Sequence, residues 1–323
     1  MDRRRRRTRA LAFALALAAG AALAAEAGPP LRAMRWLAPE ADAMRALAAE
    51  PAECLRRPAG GEAALSVEVG RAAFRTPLLL GGQAARAGLS CEACHRAGRG
   101  NPDFRFPGAS GAPGTADVTL SLFSGRRGNG VHDPRPIPDL AGPRSALKVA
   151  PSDLDAFVRG LVVEEFDGPE PPAAVLRGLA DYVRSLDPAA CPGGRADTVR
   201  LDPAGLMADA RRALAAARAL HGRGERDAAA LMAGAARGRL FLIDERYAGL
   251  PDEQAALRRA DAGLADIAAA LREGRPDAPA RLDAWLAASA PLEARLRAAQ
   301  ARSLFDPRRL AQAANRRLPP RPS

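Results

Sequence analysis

The amino-acid sequence predicts an all-α protein whose first half has short helices and long loops and whose second half is an antiparallel helical bundle. Glycine, proline and turn-forming residues are dense before about residue 200, and long Ala/Leu/Arg segments with helical spacing follow. Turn residues at 187–188 and 192–194 mark a linker between the two compositions. The chain length is typical of two domains, which we place at residues 28–194 and 195–304.

Residues 1–27 have the pattern of a secretory leader, or signal peptide. Arginines at positions 3–7 and 9 precede an apolar Ala/Leu run at 11–23, and small residues at its end offer cleavage sites. The apolar run is shorter than the about 20 residues that a membrane-spanning helix needs. We therefore predict cleavage and export to the periplasm, whereas an uncleaved leader would anchor the protein in the membrane.

The segment Cys91-Glu92-Ala93-Cys94-His95 has the spacing C-x-x-C-H. In an exported protein this spacing predicts the covalent attachment of one c-type haem (haem c). Cys91 and Cys94 would each form a thioether with one vinyl group of the haem. His95, which follows directly, would be the proximal ligand of the haem iron.

Two other kinds of site use a C-x-x-C pair. A zinc site needs a second Cys or His pair at ligand spacing, and the sequence has none. A thioredoxin-like redox pair needs a βαβ context, which the flanking residues lack. Haem attachment therefore remains the prediction for this segment.

Short helical segments precede the motif, and a long loop follows it. We predict a helix at about 41–49, an amphipathic piece at 67–74 and an approach to the thiols at 83–88. Residues 96–150 are rich in glycine and proline and show little periodicity. A loop of this length is uncommon in a compact domain unless it has a function, such as covering a haem. The apolar residues expected to contact the haem, or else to form ordinary core, are Phe104, Phe106, Phe123, Ile137 and Leu140.

Two further helices are predicted after the loop. The first starts at Ser152, has acidic residues in its first turn and runs to about Val163. The second covers 173–186 and has the pattern L-x-x-L-x-x-Y-V-x-x-L, which puts its leucines on one face. This pattern resembles the last helix of small cytochromes c, which packs across the helix that precedes the haem motif.

The region around the motif resembles the haem-binding start of bacterial cytochrome c peroxidase-like proteins. The resemblance covers residues 65–186 and rests on Gly70 and Phe74, followed by Leu89 and Ser90 directly before the motif. It implies a cytochrome c-like haem domain with long loops. The di-haem enzymes of that kind carry two C-x-x-C-H motifs. This chain has one, so electron relay between two haems is not expected.

The ligand on the other face of the iron is the main mechanistic question. Electron-transfer cytochromes often use methionine, but no methionine lies between His95 and the linker. His132 is our candidate sixth ligand of the iron; its alternative role is that of a surface-loop residue beside Asp133. An open sixth site would favour peroxide or small-gas chemistry. The other candidate ligands are Met34, Met44, Met207 and Lys148.

Cys54 and Cys191 lie at the two ends of the predicted haem domain. An even pair of remaining cysteines in an exported chain favours a disulfide. Such a bridge closes a long loop, for which the chain-entropy estimate is about 4 to 5 kcal/mol. Two free thiols are the alternative.

The second half is predicted to contain four helices. Start and stop residues place them at about 203–222, 225–248 and 251–274, with the fourth from 277. Pro291 is expected to kink or split the fourth helix. Short connections between helices of similar length favour antiparallel neighbours.

The predicted bundle carries no recognisable catalytic motif. A di-iron bundle needs Glu and Glu-x-x-His pairs, whereas His221 is the one histidine here and lies at a helix end, where a structural role is expected. The layout of residues 200–300 resembles the exported helical region that is joined to a cytochrome domain in some bacterial iron-permease fusions. We therefore expect the bundle to bind a partner. Residues 305–323 are expected to form a flexible, basic, proline-rich tail.

The charge of the chain indicates which kinds of partner to expect. The formal net charge is +11, part of which lies in the leader, and Lys148 is the single lysine. A mildly basic surface can steer an acidic redox partner. Aromatic residues make up only 4% of the chain, so nucleic acid is not an expected partner. The expected partners are a periplasmic redox protein and a membrane-bound electron-transfer or iron-uptake complex.

Three functions are compatible with this pattern. The first is a periplasmic mono-haem c-type cytochrome that transfers electrons and is not itself an enzyme. The second is a cytochrome c peroxidase-like haem enzyme with an open or displaceable sixth site. A third hypothesis is a sensor whose haem responds to a ligand.

Overall fold

The computed structural model describes residue 31 and residues 36–143, 147–191 and 198–315. The described chain is mostly helical, which confirms the all-α prediction. The predicted leader at 1–27, the candidate ligand Met34 and the linker residues 192–194 lie outside the described residues. Within the described ranges, no helix is both long enough and apolar enough to cross a membrane.

Short helices make up the first half, as the sequence predicts. The helices expected at about 41–49, 152–163 and 173–186 are present, and a π-helical turn at Leu161–Glu165 completes the second of them. The amphipathic piece expected at 67–74 belongs to a longer helix. The helices of this half are α1 (Ala43–Ala48), α2 (Gly61–Phe74), α3 (Gly82–Ala87), α4 (Cys91–Cys94), α5 (Leu154–Gly160) and α6 (Ala173–Ser185). Single turns of 3-10 helix lie at Pro77–Leu79, Arg96–Gly98, Pro151–Asp153, Pro188–Ala190 and Gln300–Arg302.

Two short antiparallel strand pairs connect distant segments of the chain. β1 (Ala49–Pro51) pairs with Thr198–Arg200, so the segment after α1 is joined to the start of the second half. β2 (Thr115–Ala116) pairs with β3 (Arg135–Pro136) and closes the middle of the long loop. The strand at Thr198–Arg200 is β4. Most of the described loop is otherwise irregular, as predicted.

Helices α2 and α6 cross in direct backbone contact. A Cβ atom on Gly70 would lie 1.8 Å from the backbone oxygen of Gly178, so only glycine fits at this point. One turn further along each helix, the rings of Phe74 and Tyr182 pack with their centroids 5.1 Å apart. Both rings are almost completely buried. The crossing therefore forms the centre of the first half.

Long helices follow one another in the described part of the second half. They are α7 (Pro203–Gly222), α8 (Arg226–Arg246), α9 (Pro251–Glu273) and α10 (Ala278–Ala299). The Asp202 side chain accepts a hydrogen bond from the N–H of Gly205 at 2.7 Å and caps α7. Gly274 ends α9 in a left-handed conformation. Each helix contacts the next, and α10 also contacts α7, so all of them surround a common core.

Helix α10 continues through Pro291, so of the two predicted effects of this proline, a kink or a split, the split is wrong. Trp285 and Leu296, on either side of the proline, are both buried against the neighbouring helices. The indole N–H of Trp285 also donates to the backbone oxygen of Ala260 in α9 at 3.0 Å. This packing outweighs the single backbone hydrogen bond that proline removes.

The described part of the C-terminal segment is helical and packed, whereas the sequence predicts a flexible tail from residue 305. It forms α11 (Pro307–Asn315), which contacts α1. Leu310 packs with Leu31 and Leu47, and the ring of Phe305 meets that of Tyr247 edge-on. These apolar residues form a buried face, which the basic, proline-rich composition of the segment does not indicate.

The two halves share one hydrophobic core. Helix α2 packs against α7 and α8, and the buried cluster runs from Cys54 to Phe305. A disulfide joins Cys54 to Cys191, as predicted, and ties the segment before α2 to the end of the first half. The boundary predicted at residue 194 therefore separates two sequence patterns rather than two independent cores.

We predict that Gly70→Ala destabilises the protein, because the added methyl group must push the backbone of Gly178 away. The free energy of unfolding, measured by urea denaturation, should fall by about 2 kcal/mol or more. Gly160→Ala is the matched control. Gly160 is also helical but has open space around its Cβ position, so its substitution should be neutral or slightly stabilising. Equal effects of the two changes would contradict the close crossing.

Candidate functional site

The C-x-x-C-H segment forms a single helical turn, α4. Gly88, in a left-handed conformation, ends α3 and redirects the chain just before this turn. The backbone N–H of His95 donates to the oxygen of Cys91 at 2.8 Å and closes the turn. Cys91 and Cys94 are three residues apart and therefore lie on the same side of the turn.

One hydrogen bond fixes the imidazole of His95. Its Nδ1 lies 3.0 Å from the backbone oxygen of Pro138. A carbonyl oxygen can only accept, so Nδ1 carries the proton and Nε2 keeps a free lone pair. Burial lowers the pKa of His95 from 6.5 to about 4, although Pro138 and Asp139 act in the opposite direction. The ring is therefore neutral at physiological pH, which is the form that binds metals.

The thiols of Cys91 and Cys94 are free and half-buried. Burial raises the pKa of each thiol from 9.0 to about 12, and the Glu92 carboxylate adds to the shift at Cys91. Redox-active and zinc-binding cysteines act as thiolates, which this environment disfavours. In the described ranges, no three His, Cys, Asp or Glu side chains gather as a metal site. An uncharged thioether is better suited to these surroundings than a thiolate.

The chain turns sharply after His95 through two left-handed residues, Ala97 and Gly98. For a residue with a side chain this conformation costs about 1 to 3 kcal/mol, and such strain is concentrated at functional sites. The Glu92 carboxylate accepts the N–H of Ala97 at 3.1 Å and supports the turn. A Cβ atom on Gly98 would lie 2.6 Å from the Leu186 side chain, so the turn is pressed against the end of α6.

Arg99, at the end of this turn, holds the loop that carries Pro138. Its Nε and Nη2 each donate to a carboxylate oxygen of Asp139 at 2.9 Å. Its Nη1 lies 3.0 Å from Sγ of Cys54, one partner of the disulfide. His95 and Arg99 therefore contact two neighbouring residues of the same loop, Pro138 and Asp139.

The apolar residues expected to contact the haem divide into two sets. The first set is almost completely buried and forms ordinary core: Phe104, Phe106 and Phe123. The second set remains half-buried against the core, on either side of Pro138: Ile137 and Leu140. A flat apolar group could cover this second set and gain the free energy of apolar burial. Together with a neutral imidazole and two protonated thiols, these residues fit the predicted haem.

The candidate sixth ligand, His132, lies exposed in the loop between β2 and β3. Burial would raise the pKa of the nearby Asp117 carboxyl. Hydrogen bonds from Asp133 and Thr119, with His132 as a further contribution, lower that pKa instead. Ligation of iron by His132 stays a prediction.

The other described candidate ligands have their own surroundings. Met44 packs against the cluster between α1 and α11, and Met207 is completely buried in α7. Nζ of Lys148 lies 5.7 Å from the ring centroid of Phe157. His221 lies in the last turn of α7, where a structural role was expected.

A buried ionic network lies where the first half meets the second. The Glu53 carboxylate accepts from Arg71 and Arg75 at 2.8 Å and from the Tyr182 hydroxyl at 2.9 Å. Arg71 also donates to Asp209 of α7 at 2.8 Å. Burial alone would raise the pKa of Glu53, but the charges of Arg75 and Arg71 lower it from 4.5 to about 2.

Arg75 connects this network to the C-x-x-C-H segment. Its Nε lies 3.1 Å from Oε2 of Glu92, in the spacer between the two thiols. Its backbone oxygen accepts a hydrogen bond from Nη2 of Arg239 in α8 at 3.0 Å. The helical turn α4 is therefore linked through α2 to the second half of the chain.

Sequence reasoning selected Cys91, Cys94 and His95 as candidates but did not select the residues that hold them in place. Pro138 lies 43 residues after His95 in a loop without periodicity, so no local pattern singles it out. Asp139 was missed for the same reason. Arg99 was an available signal, because an arginine that is buried near the C-x-x-C-H segment needs a carboxylate partner.

The chain matches no family model, no curated protein and no solved structure. The contacts of α4 and of the loop around Pro138 are therefore the basis for assigning a function.

The ionic network predicts that acid reduces stability. Because the folded protein lowers the pKa of Glu53 from 4.5 to about 2, its contribution is complete above pH 4.5 and is lost as the pH falls through 2. The size of this contribution is about 3 kcal/mol. We expect Glu53→Gln to flatten the decline of the unfolding free energy over this pH range, measured by urea denaturation.

The control for this experiment is Glu170→Gln. Glu170 forms an exposed pair with Arg159, so its loss should leave the pH dependence of the wild type unchanged. A Glu53→Gln protein with the wild-type pH dependence would show that the buried carboxylate is not responsible.

For the haem-free protein we expect a neutral His95 ring with its proton on Nδ1 from about pH 8 down to about pH 5. The reason is that the Pro138 oxygen needs a donor and burial holds the pKa of His95 near 4. Proton–nitrogen correlation NMR spectra of histidine-labelled protein report the tautomer directly. A proton on Nε2, or titration at the usual value of 6.5, is the contrary result.

Proposed function

We propose that this protein is a mono-haem c-type cytochrome that transfers electrons in the periplasm. The observation that carries the proposal is the 3.0 Å hydrogen bond from His95 Nδ1 to Pro138, next to the half-buried thiols of Cys91 and Cys94. Metal-binding histidines commonly donate their second ring N–H in this way, which orients the ring and leaves Nε2 for the metal. Thiol exchange requires a thiolate, which these surroundings disfavour. In the described ranges no further His, Cys, Asp or Glu joins the two thiols to form a zinc site.

The proposed roles follow from the chemistry of each residue. Cys91 and Cys94 would each hold the haem through a thioether, in which the S–H has added across one vinyl group without any exchange of electrons. His95 would bind iron through Nε2, and the Pro138 acceptor would increase the electron-donating power of the ring. When bound, haem supplies a one-electron iron couple, which is the chemistry of an electron carrier.

We assign a cytochrome c-like fold to the first half. The close crossing of α2 and α6 supports this assignment, because small cytochromes c pack their last helix across the helix that precedes the haem motif. Here Gly70 and Gly178 bring the two helices into backbone contact. Phe74, at the end of α2, then lies with its ring centroid 6.4 Å from that of His95.

We assign an antiparallel bundle to the second half, and two ion pairs between α7 and α10 support it. Arg211 contacts Glu293 at 2.6 Å, and Arg218 contacts Asp283 at 2.8 Å. The residue numbers rise along α7 while those of their partners fall along α10, as they must between antiparallel helices. The proposed role of this bundle is to bind a redox partner or a membrane-bound electron-transfer or iron-uptake complex.

The disulfide between Cys54 and Cys191 supports a periplasmic location. Structural disulfides persist in oxidising compartments and are rare where thiols are kept reduced. The pattern of the leader at 1–27 agrees with this assignment.

A peroxidase-like haem enzyme is the second candidate, and the surroundings of the candidate sixth ligands favour it. Met207 is buried in α7, Met44 packs elsewhere, and His132 is exposed in its loop. A sixth site without a protein ligand is accessible to peroxide. The two candidates differ in spin state, because a protein ligand on both faces gives a low-spin iron.

The test is to express the full chain with c-type haem maturation and measure its mass and optical spectra. We expect one covalent porphyrin and a Soret band, and we expect Cys91→Ala with Cys94→Ala to abolish covalent attachment. A wild-type protein with the mass of the bare chain and no Soret band rules out the cytochrome proposal.

His132→Ala then separates the two candidates, with His221→Ala as the control. An electron carrier with His132 as its ligand should change from low-spin to high-spin in the first variant and remain low-spin in the second. A wild-type spectrum that is already high-spin, with rapid reaction with peroxide, supports the peroxidase-like enzyme instead.

A further inference from the structure

Two contacts fasten the turn after α4 to one short piece of the long loop. His95 donates from Nδ1 to the oxygen of Pro138 at 3.0 Å, and Arg99 holds the carboxylate of Asp139 with two hydrogen bonds of 2.9 Å. The carbonyl that His95 uses belongs to the peptide bond between Pro138 and Asp139. A fixed Asp139 therefore fixes the direction of that carbonyl.

Arg99 is held firmly enough to act as an anchor. Its side chain is 8% exposed, and the guanidinium group has a rigid planar geometry. Besides Asp139 it contacts the backbone oxygen of Ala52 at 3.4 Å and Sγ of Cys54 at 3.0 Å. Cys54 is itself held by its disulfide to Cys191. Arg99 is thus held against the part of the first half that the disulfide cross-links.

Asp139 in turn organises the loop around it. One carboxylate oxygen accepts the N–H of Ala141 at 3.0 Å, and the backbone oxygen of Asp139 accepts the N–H of Gly142 at 2.9 Å. The carboxylate therefore forms a local turn and holds Arg99 at the same time. Replacing it with an amide keeps the size of the side chain but removes one acceptor of this pair and the negative charge.

We propose that Arg99 and Asp139 are positioning residues for His95: they aim the Pro138 carbonyl at Nδ1 and so set the electron-donating power of the iron ligand. The part of this inference that concerns iron rests on the proposed function, whereas the aiming of the carbonyl belongs to the chain alone. Neither residue would ligate the iron; both act through the Pro138 carbonyl.

The direction of the effect follows from the chemistry of the ligand. A strong hydrogen bond from Nδ1 makes the imidazole more basic and stabilises the oxidised iron. Loosening Asp139 weakens that bond, so the iron becomes easier to reduce and its potential rises. In the haem-free protein the same change should release the His95 ring from a single tautomer.

The experiment compares Asp139→Asn with Asp261→Asn. Asp261 is the matched control, because it also receives a forked pair of hydrogen bonds, from Arg237 at 2.8 and 3.0 Å, but on α9. In haem-free protein, nitrogen NMR should show that Asp139→Asn populates the Nε2–H tautomer of His95, and that Asp261→Asn keeps the wild-type tautomer. In haem-loaded protein, Asp139→Asn alone should raise the reduction potential.

Two conservative variants complete the design and guard against loss of folding. Asp139→Glu keeps the carboxylate and should restore the Nδ1–H tautomer at least in part. Arg99→Lys keeps the charge but loses the forked geometry, so it should behave like Asp139→Asn. Urea denaturation identifies any variant that does not fold, and the conclusion then rests on the variants that do.

The outcomes separate this inference from the proposed function. If the wild-type chain binds no haem, the proposed function and the inference about iron are both wrong. The tautomer of His95 then still tests whether Arg99 and Asp139 aim the Pro138 carbonyl. An unchanged His95 tautomer in both Asp139→Asn and Arg99→Lys overturns the positioning role. A changed tautomer with an unchanged potential overturns the claim about the iron ligand. Equal shifts in Asp261→Asn mean that the effect is not specific to Asp139.

Discussion

The close crossing of α2 and α6 is the constraint on which the surroundings of the C-x-x-C-H segment depend. Two glycines let the backbones touch, and the residues one turn further along are then forced together. Phe74 places its ring beside His95, with centroids 6.4 Å apart, and Tyr182 directs its hydroxyl to Glu53. This backbone contact thus determines the position of the Phe74 ring beside the His95 imidazole and the position of the buried Glu53 carboxylate.

The buried charges explain why the two halves form one body. A charge removed from water is strongly destabilising unless it is paired and hydrogen-bonded. Arg75 meets this condition by contacting Glu53 on one side and Glu92 of α4 on the other. Asp209 completes the pairing of Arg71 from the second half. The long helices therefore belong to the buried ionic network that reaches Glu92 of α4 and are not a separate attachment.

Local patterns predicted most helices, and they failed where packing competes with local preference. Pro291 breaks a helix by its chemistry, but buried neighbours on both sides hold α10 together. The C-terminal segment has the composition of a mobile tail, but Phe305 and Leu310 find apolar partners that are distant in sequence. The long loop has no periodicity, so its buried Phe104 could not be distinguished from a ligand contact by sequence alone.

The sequence by itself determined the chemistry that is available: a C-x-x-C-H segment, an even pair of further cysteines, and helices bounded by capping residues. These features depend on spacings of a few residues or on the number of cysteines, so they can be read without a fold. Only the tertiary structure decided which nitrogen of His95 carries its proton and which residues hold Arg99. Those answers depend on Pro138 and Asp139, which are far from the motif along the chain. Tertiary packing brings them next to it, and no local pattern in the sequence predicts that packing.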